Sequence, residues 1–126
     1  MPLPAVHGSG VSRPRLILLS MKSALLRVRG NSMAPTVQDG DYVVGRRPSR
    51  RRPLRIGDIV VIEHPYYGRM VKRVRSLDAA GGTVEVRGDN AASVAGIDIG
   101  PVPQAQILQR AWLCISPRGV RRLRHQ

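Results

Sequence analysis

GDIVVIEHPYYGRMVKRV, residues 57–74, decides the fold of this chain. Its two apolar runs are dense in Val and Ile and are bounded by Gly, Asp and Pro, which is the composition of strands separated by a turn. No helical period is sustained through it or through any other window over three turns. In an extended chain Met70, Lys72 and Val74 share one face, and Val71 and Arg73 the other. Working outward, the same short apolar runs recur in LLRV (25–28), DYVVG (41–45), TVEVRGD (83–89) and QAQILQRAWLCI (104–115). The pattern predicts an all-β, mainly antiparallel domain over residues 25–117, with an N-terminal arm at 1–24 and a mobile basic tail at 118–126.

At 126 residues the chain suits one domain, burying about two-thirds of the surface that its unfolded form exposes. The net charge of +13 would ordinarily point to nucleic acid or an anionic surface. Its distribution argues otherwise, because three acid-free segments, residues 1–22, 46–55 and 118–126, carry the whole excess and the rest of the chain is neutral. With no Phe and a single Trp, the chain is poorly equipped to stack bases. The lone Cys114 excludes a disulfide framework and a cysteine-only metal site, and a reduced, cytoplasmic setting fits. The apolar run LILLSM (16–21) is stopped by Lys22 and is too short to span a membrane, so the arm is read as loosely ordered or lying on a surface. RRPSRRRPLR (46–55) combines like charges with Pro48 and Pro53 and is read as an exposed hairpin loop, dispensable for chemistry and suited to steering an acidic partner.

Three stretches carry reactive side chains. In VRGNSMAPTVQDGDYVVG (28–45), Ser32 sits among Gly30, Asn31 and Pro35, which taken alone describes a turn. In GRMVKRV (68–74), Lys72 is one of two lysines against nineteen arginines. Desolvation on an apolar strand face lowers a lysine's pKa, whereas an arginine stays protonated, so Lys72 suits a site that needs a removable proton. The third stretch, EVRGDNAASVAGIDIGPVP (85–103), taken alone contains an ordinary RGDN turn.

Together and in this order, GNSMAPT, GDIVV, KRV and GDN followed by GPVP resemble the boxes of the type I signal peptidase family and its relatives, among them the LexA-type self-cleaving repressors. The resemblance covers about residues 26–113. It implies an all-β scaffold of coiled sheets and a serine endopeptidase in which Ser32 attacks the scissile carbonyl while neutral Lys72 takes and returns the proton. It calls for no cofactor and no metal, and it gives no role to His7, His64 or His125. The oxyanion would be held first by the Ser32 N–H. Some signal peptidases carry a serine at the position of Gly30; here a backbone N–H or the Asn31 amide would serve instead. Met33 would line the substrate cleft. The third box departs from the family pattern: AASVAGIDI (91–99) is one residue shorter and lacks an Arg. Ser93 is then the candidate for the hydroxyl that orients the lysine, and Asp98 loses its bracing partner, so either the support is rebuilt elsewhere or the activity is weak.

Within that family, secretory signal peptidases carry a membrane helix before the serine box, and self-cleaving repressors carry a DNA-binding domain. The chain more closely resembles the short soluble proteases that trim the N-terminal propeptide of nickel-dependent superoxide dismutase. The expectation is a monomer whose partner is a protein precursor, with peripheral membrane contact through the arm left open and no obligate nucleic acid. The alternatives are a membrane-associated enzyme cutting secretory precursors, or a catalytically weak peptide- or nucleic-acid-binding module.

Overall fold

In the computed structural model, residues 16–18, 23–78, 80–90 and 99–124 are described. The strands are β1 (Leu16–Leu18), β2 (Ser23–Arg27), β3 (Tyr42–Arg46), β4 (Ile59–His64), β5 (Gly68–Asp78), β6 (Thr83–Arg87), β7 (Val102–Pro103), β8 (Ile107–Ser116) and β9 (Gly119–Arg122). A single 3-10 turn, Gln104–Gln106, is the one helical element among the described residues. All the pairings are antiparallel and the strands run in the order β1-β2-β3-β8-β4-β5-β6-β7, with β9 joining β8 off that path. The all-β reading of the sequence is the observed fold.

The continuous apolar run of β4 has a physical reason. Ile59 and Val61 face one core with Leu26, Val28, Met33, Val37 and Val43, while Val60 and Ile62 face a second with Leu54, Val74, Val84 and Val102. A strand covered on both faces has no polar side to alternate with. The ten-residue β8 serves three neighbours. Its first half pairs with β4, its second half pairs with β9, and β3 lies along its other edge. Between Ala111 and Leu113 the register with β3 shifts, leaving Trp112 as an extra residue. A bulge of this kind re-aims a side chain.

Two expectations about segments differ from the structure. Residues 46–55 do not cap a hairpin: β3 and β4 are separated by β8, so the segment crosses over between non-adjacent strands. Its arginines are exposed, and Leu54 anchors it by inserting into the second core. The basic tail contains a strand rather than mobile chain, because the Ser116–Gly119 turn folds β9 back onto β8. At the other end, Leu16–Leu18 of the N-terminal arm pairs with β2, and β2 itself begins at Ser23. Among the described residues no helix is long and apolar enough to cross a membrane.

Candidate active site

The serine turn follows β2 and is anchored through its apolar residues. Met33 and Val37 are 1 % and 0 % exposed in the first core. Val37 N–H donates to the Met33 carbonyl, closing one helical turn, and Ala34 N–H donates to that of Asn31. Carboxylates tie both ends: Gly30 N–H donates to Asp39 Oδ1 at 2.7 Å, and Gln38 N–H to Asp41 Oδ2 at 2.9 Å. Gly30 has φ of 85°, a conformation in which a side chain is strained. Its N–H is already engaged, which removes it from the donors available to an oxyanion. Met33 is a core anchor of the turn rather than an accessible cleft wall.

Lys72 lies on β5 opposite Val60, and Arg73 opposite Ile59. Partners across a ladder project to the same face. Lys72 therefore shares the face of Val60 and Val74, and Arg73 that of Ile59 and Val71, as the alternation in the sequence requires. Lys72 is 6 % exposed, and burial pushes its amine below the ordinary lysine range. No hydrogen bond or ion pair to it is present among the described residues.

Gly88 joins the two segments. The β5–β6 ladder ends with Arg73 opposite Arg87, and Gly88 follows directly after β6. A Cβ on Gly88 would collide with the Ser32 carbonyl oxygen and lie 3.2 Å from Ser32 Cβ. Ser32 is half-buried at this point.

The residues after Gly88 hold the arrangement. Asn90 N–H donates to the Ser32 carbonyl and its side-chain amide to the Asn31 carbonyl, both at 2.9 Å. Because the N–H and C=O of a trans peptide point in opposite directions, drawing the Asn31 carbonyl to Asn90 turns the Ser32 N–H away from it. Asp89 accepts from Thr36 Oγ1 at 2.6 Å and from Arg73 Nε and Nη2 at 2.7 and 2.6 Å, while Arg73 Nη1 donates to the Gly57 carbonyl at 2.7 Å. Burial alone would raise the Asp89 pKa; the hydrogen bonds from Arg73 and Thr36 and the charges of Arg73 and Arg75 hold it below the usual carboxylate value. The Asp89 hydrogen bond raises that of Arg73 against its own desolvation, with help from the charges of Asp89 and Asp58. From the far side, Arg121 of β9 donates to the Thr36 carbonyl.

The GDN box therefore joins the Ser32 turn to β5, the strand that carries buried Lys72, and the bracing ion pair is Arg73–Asp89. The sequence offered both halves of that pair, in KRV and GDN, but drew attention to Asp98 instead. Asp98 and Ser93 lie outside the described residues, as do His7 and His125. His64 accepts the N–H groups of Tyr66 and Tyr67 through Nδ1, at 3.0 and 3.1 Å, and shapes the β4–β5 turn. Among the described residues no group of three or more His, Cys, Asp or Glu could hold a metal.

The fold is thus an antiparallel sheet with two cores, with a serine turn held by the GDN box and a buried lysine on β5. The Peptidase S24-like family model matches residues 11–111, and the chain belongs to that family, which makes it a serine-peptidase-type protein. Neither the curated proteins nor the solved structures include a match to it.

Proposed function

We propose that the protein is a serine endopeptidase with a Ser32/Lys72 dyad that processes a protein precursor by removing an N-terminal propeptide. The observation that carries this reading is that Asn90 holds the Ser32 turn while its neighbour Asp89 pairs with Arg73, the residue next to buried Lys72 on β5. Lys72, whose pKa burial lowers, acts in its neutral form and takes the Ser32 hydroxyl proton as Oγ attacks the scissile carbonyl. The Ser32 N–H and the Asn31 side-chain amide are the donors suited to the oxyanion. Collapse of the tetrahedral intermediate passes the lysine's proton to the leaving amine, and Lys72 then activates the water that releases the acyl group.

The resemblance to the short soluble proteases makes the precursor of a nickel-dependent superoxide dismutase the first substrate to try. Candidate precursors are coexpressed with the wild-type protein and with Ser32→Ala, and their masses compared. A shortened precursor with the wild type alone supports the reading. Equal trimming by both, or trimming by neither across the candidates, overturns it.

A further inference from the structure

The crossover between β3 and β4 is a built surface. Ser49 Oγ accepts from Arg52 N–H, and Ser49 N–H donates to the Arg52 carbonyl, both at 3.2 Å. Arg110 of β8 then pins the segment by donating to the carbonyls of Arg52 and Pro53, at 3.2 and 3.0 Å. Asp58 Oδ2 accepts from Arg55 N–H at 2.8 Å and lies 3.8 Å from Arg110 Nη1. Between the crossover and β8 lies a cavity of about 280 Å³ whose wall includes Arg51, Arg52, Arg55, Arg110, Trp112 and Leu123, and one carboxylate, Asp58, which Arg110 faces. Arg110 spends its Nη1 donors on the protein. The guanidinium groups of Arg51, Arg52 and Arg55 pair with no carboxylate among the described residues. Trp112, turned out by its bulge, and Leu123 form an apolar wall beside them.

We propose that this cavity is a docking site for an acidic segment of the polypeptide substrate, with carboxylates on Arg51, Arg52 and Arg55 and an adjacent apolar side chain against Trp112. The proposal rests on the endopeptidase reading above and specifies its substrate class. Planar guanidinium groups match carboxylates in pairs, and the partly open, mainly polar cavity with one apolar wall suits one or two side chains. A duplex instead needs an open basic track along successive phosphates. The cavity is also near the chemistry: Arg110 pairs with Val60, which pairs with Lys72, so the row spans two strand spacings, about 10 Å. About three residues of extended chain cover that distance.

Trp112 is the only tryptophan in the chain, so its fluorescence reports on the cavity directly. Full-length Ser32→Ala protein is titrated with a blocked Leu-Glu-Glu-Glu peptide in about 0.15 M salt, to screen non-specific attraction. The same titration uses Leu-Gln-Gln-Gln, inorganic phosphate and a short DNA duplex, and is repeated with R51Q, R52Q and R55Q combined. The expected result is a saturable response to the Glu peptide that weakens about tenfold in the triple variant, with weaker responses to the other three probes. No response, equal response to the Gln peptide, or tighter binding of phosphate or DNA overturns the proposal. Because the Ser32→Ala protein cuts nothing, this outcome is separate from that of the processing test. On a cleaved precursor that carries acidic residues near its scissile bond, the triple arginine variant should raise KM about tenfold with kcat little changed. A loss confined to kcat would overturn the docking role.

Discussion

Lys72 and Arg73 are neighbours on β5, both about 95 % buried, and the two faces of the strand treat their charges in opposite ways. On the Arg73 side, every face of the guanidinium finds an acceptor, and its pKa rises. On the Lys72 side the neighbours are Val60 and Val74, and the amine's pKa falls. Burial desolvates both cations; the presence of a partner decides whether it yields a fixed charge or a removable proton. One face thus braces the serine turn, and the other buries an amine with no acid beside it.

The largest expected effects come from removing the asymmetry itself. Ser32→Ala and Lys72→Arg should each lower kcat/KM by about 10⁴-fold or more on a processed precursor, with circular dichroism unchanged. Near-normal turnover by Lys72→Arg would show that no removable proton is needed at that position. On the braced side, Asp89→Ala leaves Arg73 buried without its carboxylate and should cost about 3–5 kcal/mol in denaturant unfolding. The double variant Arg73→Met/Asp89→Leu should recover most of that stability, because replacing a buried pair with apolar residues is often close to neutral. If the double variant is as unstable as Asp89→Ala, the pair contributes more than mutual compensation.

Gly88→Ala tests the joint between the two sides. The new methyl group must push the Ser32 carbonyl away, and a displacement near 1 Å should cost about 10²-fold in kcat. Wild-type activity after this substitution would show that the serine turn moves freely over β6. For pH, the lowered lysine predicts that the rate rises about tenfold per unit while Lys72 is mostly protonated and levels off below the ordinary lysine range. The depressed carboxyl works in the acid direction: the stability that Asp89 contributes is present above its unfolded pKa and is lost as the pH falls through its lower folded value. Rate and unfolding profiles should therefore bend at opposite ends of the pH scale. The smallest effect belongs to Thr36→Val, which removes one hydrogen bond to Asp89 and should cost about 1 kcal/mol.

Local composition was enough to predict that this chain forms a sheet, because Val- and Ile-rich runs between Gly, Asp and Pro carry their conformational preference within a few residues. Alternation likewise placed Lys72 and Arg73 on opposite faces, since the period of two is a property of any strand. The boxes containing Ser32, Lys72 and Gly88–Asn90 were also legible. Their relation to one another was not. That Arg73 finds Asp89, that Gly88 must lack a side chain because Ser32 lies over it, and that Gly30 N–H is taken by Asp39 all depend on turns meeting strands distant in sequence. The crossover at 46–55 shows the same limit. Its prolines and charges marked it as exposed, but only the insertion of β8 between β3 and β4 turned it from a hairpin loop into the wall of a cavity, because strand order is set by which faces can be buried together and not by order along the chain.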